Sequence, residues 1–214
     1  MKSVLIIGAG QFGTHIAKRM AKLHSEVMAI DRDEDRINAI LPYVTNAQIG
    51  DSTNAEFMRS LGIPDYDVCI VTISGNFQNS LETTALLKEL GGRKIISRAQ
   101  NDVQEKFLLR NGADETVYPE KQAAIRLATK EASDDILDAF QLDRNVYIYE
   151  VRVPKAWDNK TIAGLDIRKK HHLNIIALRT PEQLVVPMPD MILHEGEAVL
   201  LIGSMKDIQR YFEI

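Results

Sequence analysis

The stretch Ser3-Val-Leu-Ile-Ile-Gly-Ala-Gly-Gln-Phe-Gly13 decides the fold. Four consecutive apolar residues, Val4 to Ile7, are what a strand buried on both faces requires. The run breaks at Gly8, and helical periodicity follows over 11–23, with Phe12, Ile16, Met20 and Leu23 on one face. Strand, glycine turn and helix are the context in which G-x-G-x-x-G has a physical meaning. Gly8 permits the tight turn, Gly10 lets the backbone approach a phosphate, and Gly13 lets the helix pack closely on the strand. The helix N-terminus then offers free N–H groups and a positive dipole end to an anion. Asp31, 18 residues beyond Gly13 and at the end of the next apolar run, supplies the carboxylate that accepts ribose hydroxyls.

Further along, short β-branched runs at 26–30, 47–50, 68–72, 94–97 and 115–118 alternate with helical segments at 34–41, 55–61, 76–90 and 102–111. The pattern predicts an α/β architecture: a doubly wound parallel sheet of six strands of the Rossmann type, occupying 1–118. A connecting or dimerisation helix is expected over 119–142, opening at Pro119 and running to about Phe140, with Leu127, Ile136, Leu137 and Phe140 as an apolar stripe for a second subunit. Past Gln141-Leu-Asp-Arg-Asn145 a small α/β domain is expected over 143–214. Its strands fall at 146–153, 174–178, 183–186 and 198–202, with short helices near Ile167 and at 206–212.

The 214 residues carry a formal net charge of −4, with 45% hydrophobic and 26% charged residues. That composition is globular throughout, and an acidic balance argues against nucleic acid as a partner. No run reaches the length a membrane helix needs, and Val4 to Ile7 is too short for a signal peptide, so a cytoplasmic location is expected. The single cysteine, Cys69, lies in the apolar run Asp67-Val-Cys-Ile-Val-Thr72 and is expected to be buried and inert.

The candidate nucleotide site comprises Gly8, Ala9, Gly10, Gln11, Phe12, Gly13, Asp31, Arg32, Asp51, Ser52, Thr72 and Arg98, all on the carboxyl edge of the predicted sheet. Asp31 disfavours a 2′-phosphate, although Arg32 beside it is cationic. Asp51 and Ser52 are in reach of an adenine, yet the run Asp51 to Asn54 is equally a set of helix caps. Thr72 to Asn76 follow the fourth strand. Arg98 serves either a phosphate or a surface ion pair.

With Gly8 to Gly13, Asp31, Gly50-Asp-Ser-Thr-Asn54, Ser97-Arg-Ala-Gln-Asn101 and Tyr118-Pro-Glu120 in this order, the chain resembles the RCK, or KTN, family. Within it, the chain is similar to TrkA-like regulatory subunits of Trk and Ktr potassium-uptake systems. The likeness continues through Thr161 to Ile167, Asn174 to Ala177, Pro187-Met-Pro189 and Leu193 to Gly203. The resemblance implies a non-catalytic subunit that binds ATP, ADP, AMP or NAD(H) in the Rossmann cleft. It implies homodimers assembling into a ring, an octamer, against a membrane-embedded potassium-translocating subunit. It also implies that Glu120 helps hold magnesium or calcium, where the residues alone read as a carboxylate favoured by a helix N-terminus. For the C-terminal domain it implies a cyclic di-AMP site at Ile175, Ile176, Arg179 and Pro187, where the alternation alone reads as a buried strand. Many relatives carry Arg directly after the second glycine; Gln11 here removes one counter-charge for a triphosphate.

The alternative is a small NAD-dependent oxidoreductase, which needs an acid–base residue beside a substrate pocket. His15, His24, His171, His172 and His194 form no metal or triad spacing, and no Cys-x-x-Cys, Gly-x-Ser-x-Gly or Tyr-x-x-x-Lys is present. Trp157 is expected to be a packing anchor.

Overall fold

In the computed structural model, which describes residues 1–143 and 145–212, the chain divides into two units, Met1–Glu120 and Lys121–Ile214. The first alternates strand and helix: β1 (Ser3–Ile7), α1 (Gln11–Lys22), β2 (Glu26–Asp31), α2 (Glu34–Ile40), β3 (Asn46–Ile49), α3 (Ala55–Ser60), β4 (Val68–Val71), α4 (Phe77–Glu89), β5 (Ile95–Arg98), α5 (Asp102–Arg110) and β6 (Glu115–Val117). The six strands are parallel in the order β3-β2-β1-β4-β5-β6. The expected doubly wound sheet is therefore present, and its order reverses between β1 and β4, which opens a crevice at their carboxyl ends.

Each central strand buries both faces, and alternation sorts them. Val4 and Ile6 join Val27, Ala29, Val68 and Ile70 in a cluster that includes Ala17 of α1 and Ile37 and Ile40 of α2. Leu5 and Ile7 join Cys69, Val71 and Ile95 in a second cluster, with Met58 of α3 and Leu87 of α4. After Ser3, β1 carries only apolar side chains, and the buried run Val68 to Val71 of β4 matches it, so apolar packing on two sides holds these strands.

Cys69 is fully buried, and burial pushes its thiol from the ordinary 9.0 up to about 12. The folded chain then keeps a proton that the unfolded chain releases above pH 9. Its contribution to stability falls by about 1.4 kcal/mol per pH unit between 9 and 12. We expect the stability gap between the parent and Cys69→Ala to narrow over that range in denaturant titrations, and the thiol to react with a disulfide reagent only as fast as the protein unfolds.

Helix α6 (Pro119–Glu131) follows, and here the sequence expectation needs correction. The helix stops at Glu131, and the residues expected to continue it form strand β7 (Ile136–Asp143). Ser133 makes the break: its hydroxyl accepts the Asp135 N–H and its carbonyl the Ile136 N–H. β7 pairs antiparallel with β8 (Val146–Arg152), with register shifts between Ile136 and Asp138 and between Gln141 and Asp143. Bulges of this kind insert a residue and break two-residue alternation, so Ile136, Leu137 and Phe140 fall at a spacing that mimics a helix. The stripe expected with Leu127 does not form, since Ile136 belongs to the core of the second unit while Leu127 of α6 is exposed.

The second unit continues with β9 (Lys160–Thr161), α7 (Ile162–Leu165), α8 (Ile167–His171), β10 (Asn174–Arg179), β11 (Leu184–Val185), β12 (Ile192–Leu193), β13 (Ala198–Ser204) and α9 (Met205–Phe212). Its five-stranded sheet runs β11-β10-β13-β8-β7 with antiparallel neighbours, and β12 pairs with β9. Tyr149, Val151, Leu173, Val199, Leu201 and Ile208 fill the core. Trp157 anchors it as expected: it is 3% exposed, and its indole N–H donates to the Tyr211 hydroxyl at 2.5 Å.

Candidate functional site

The crevice of the first unit encloses about 220 Å³ and is lined from the carboxyl ends of β1 to β4 and the start of α4. At its floor Gly8 turns the chain with φ of +105°, a conformation a side chain would strain. The Thr72 hydroxyl donates to the Gly8 carbonyl at 2.5 Å and the Ile7 carbonyl at 3.1 Å, which fixes the turn against the end of β4. Gly10 caps α1 with φ of −67°, no side chain caps that helix, and no acidic residue occupies its first turn. The N–H groups of the first turn thus have no side-chain cap, and no acidic residue of α1 itself offsets the dipole. A Cβ placed on Gly10 would meet nothing within 4 Å, whereas one on Gly13 would lie 2.1 Å from the Gly8 carbonyl oxygen.

Asp31 closes the crevice at the end of β2. Its Oδ2 accepts the Ala9 N–H at 2.8 Å and its Oδ1 the Asp33 N–H at 3.0 Å, and the residue is 8% exposed. Arg36 approaches the same carboxylate at 3.7 Å. Asp31 therefore orients the glycine turn as well as presenting lone pairs to the crevice. Across from it, Asp51 accepts both the N–H and the hydroxyl of Thr53, and these bonds, the backbone one first, hold its carboxyl below the usual range. The cap of α3 is Asn54, which leaves Asp51 on the crevice wall. Ser52 also lines the crevice, with its hydroxyl 2.7 Å from that of Thr83.

Of the sequence candidates, Gly8, Gly10, Asp31, Arg32, Asp51, Ser52 and Thr72 line this crevice, while Ala9, Gln11, Phe12, Gly13 and Arg98 do not. Arg98 instead pairs with Glu120 and lays its guanidinium over the Phe12 ring, 5.4 Å from the centroid. Sequence reasoning missed Arg36 and Asn79 as wall residues. A usable signal existed, because both lie in the first turn of a helix that follows a strand of the parallel sheet. Among the described residues no group of three His, Cys, Asp or Glu is arranged to hold a metal ion.

In the second unit Ile175 packs against the core, Ile176 is the unpaired residue at a register shift of β10, and Arg179 pairs with Glu150. Pro187 follows β11, half-buried. A separate cavity of about 500 Å³ lies between α6 and β7, where Arg126 grips Asp138 through Nε at 2.8 Å and Nη2 at 2.5 Å and stacks on Phe140.

The TrkA-N domain family matches residues 4–119 and the TrkA-C domain family residues 146–214. Ktr system potassium uptake protein C of Bacillus subtilis (strain 168) is 37% identical over 211 residues, covering 98% of this chain and 96% of the relative. Ktr system potassium uptake protein A of the same organism is 34% identical, covering 98% and 95%. Among solved structures, the GsuK channel bound to NAD superposes with a TM-score of 0.55 at 24% identity, over 100% of this chain and 38% of the channel chain, a likeness of fold.

Proposed function

Since the chain belongs to the family built from a TrkA-N and a TrkA-C domain, we propose that it is a nucleotide-binding regulatory subunit of a potassium-uptake system. The observation that carries the ligand class is the anchored glycine turn: Asp31 pinned to Ala9 N–H, above an uncapped helix N-terminus with open space over Gly10. That arrangement takes an anion beside a ribose. Most of the lining comes from the β1 to β3 half of the sheet, which receives the adenosine end, and this favours AMP, ADP or ATP, with NAD(H) as the dinucleotide alternative. Gln11 leaves no cation in the first turn of α1, so fewer phosphate charges are favoured.

The crevice lining contains no His, Lys, Tyr or Cys, and its two carboxylates are tied into hydrogen bonds. Nothing there is poised to move a proton, which supports regulation over hydride transfer. Glu120 is a single carboxylate already paired with Arg98, which does not fit a magnesium or calcium site built from this chain alone; a cation there would need phosphate oxygens for its remaining ligands.

Regulation would follow from differential affinity: a nucleotide bound more tightly in one assembly than another shifts their populations. In this reading, homodimers form a ring of eight on the cytoplasmic face of a membrane-embedded potassium-translocating subunit. Cyclic di-AMP would bind the C-terminal unit around Ile175, Ile176, Arg179 and Pro187, displacing the Arg179 pairing with Glu150.

Thermal unfolding with ATP, ADP, AMP, NAD, NADH and cyclic di-AMP, each with and without magnesium, tests the proposal. A ligand at a hundredfold excess over its Kd stabilises by about 2.7 kcal/mol, a rise of roughly 5 °C or more for a chain of this size. Adenine nucleotides are expected to give that rise without being consumed. No rise with any of them, or turnover of NADH with an added small substrate, would reverse the assignment.

A further inference from the structure

The crevice reaches only the near edge of the second half of the sheet, at the end of β4. Its lining includes Ile73, Ser74 and Gly75 after β4, but no residue after β5. In a doubly wound sheet the second nucleotide of a dinucleotide lies over that half, across the point where strand order reverses. Here a side chain ties the loop after β5 to the loop after β4. Gln100, two residues past the end of β5, donates its Nε2–H to the Ser74 carbonyl at 2.6 Å. Its own position is held from both sides: the Gln100 N–H is accepted by Gln104 Oε1 at 3.0 Å, and the preceding Ala99, fully buried, donates its N–H to Val117. The same edge is further occupied by Arg98, which lies over Phe12 and pairs with Glu120.

We propose that Gln100 is a specificity-determining residue that bars the second half of the crevice, so that the site takes an adenine mononucleotide and discriminates against dinucleotides. The inference rests on the reading that the crevice binds adenine nucleotides. A dinucleotide would have to break the Gln100 to Ser74 bond to lay its second ribose over the ends of β4 and β5. A mononucleotide, held by Asp31 and the α1 N-terminus, leaves that bond untouched. The acceptor is a backbone carbonyl, so the strap is removable only through Gln100 itself.

The test is calorimetric titration of the full chain with AMP and with NAD, for the parent, Gln100→Ala and Gln100→Met. Methionine keeps the length of the side chain and cannot donate. Both variants are expected to bind AMP within about twofold of the parent and to bind NAD about fivefold to tenfold more tightly, the scale of one neutral hydrogen bond. AMP affinity also reports folding, so a variant that loses it is set aside and the other decides. If AMP binding is kept while the NAD to AMP ratio stays at the parent value in the intact variants, Gln100 has no part in selection. If the parent itself binds neither ligand, the nucleotide reading fails, and the strap with it.

Discussion

Gly10→Ala is expected to leave the protein's stability nearly unchanged while weakening nucleotide binding by a hundredfold or more, and Gly13→Ala to destabilise the fold severely. The two glycines are three residues apart in one motif, and the structure gives them different work. A Cβ on Gly10 meets nothing within 4 Å and the backbone there is at φ −67°, which alanine adopts freely. Its stability effect should stay within about 1 kcal/mol. The methyl group projects where a phosphate must approach the α1 N-terminus, so the ligand is displaced from its donors. On Gly13 the same methyl would lie 2.1 Å from the Gly8 carbonyl oxygen and 2.8 Å from Thr72 Oγ1, between the helix and the turn it packs on. Relief requires α1 to lift from the sheet, and a loss of about 3 kcal/mol or more is the expected scale. Thermal unfolding and calorimetry on both variants check the pair. A Gly10→Ala protein that binds like the parent would show that no phosphate sits against this turn.

Asp31→Ala is expected to abolish measurable binding and to lower the melting temperature as well, because the carboxylate serves two structures. Without it the buried Ala9 N–H loses its acceptor, at a cost of about 1–3 kcal/mol, and the turn that presents Gly10 is released. The ribose loses its partner at the same time, so affinity falls by about a hundredfold or more. Asp31→Asn should do nearly as badly, since one of its two positions then presents an amide donor to the Ala9 or Asp33 N–H. Arg36→Ala separates the effects: it leaves both backbone bonds in place and is expected to change stability by under about 1 kcal/mol, because Arg36 is more than half exposed and 3.7 Å from the carboxylate. Retained affinity in Asp31→Ala would mean that the ribose lies elsewhere.

The first unit was legible because its signals are local and agree with one another. Val4 to Ile7, the Gly8 turn and the periodicity of α1 each point to the same βα unit, and Asp31 falls where that unit needs it. What sequence could not show was how polar atoms are already committed. Thr72 and Ser52 sit in the crevice as expected, but their hydroxyls bond Gly8 and Thr83, a fact fixed by residues up to 64 positions away. Arg98 reads from the sequence as a phosphate ligand or an ion pair, and its partner Glu120 comes close only because β5 and β6 are neighbours. β7 was hidden for a different reason: two bulges erased its alternation, and Ser133, which ends α6, lies in a run that also suits a helix. The short strands β9 and β12, two residues each, carry too little pattern to be read at all.

Reconstitution of the chain with a potassium-translocating membrane subunit of its own organism, followed by ion flux under ATP, ADP, AMP or no nucleotide, addresses the central claim most directly. The account predicts that flux requires the chain and differs between nucleotides, and that Gly10→Ala keeps the complex but erases the difference. Flux that is the same with every nucleotide, or the same whether or not the chain is present, would contradict it.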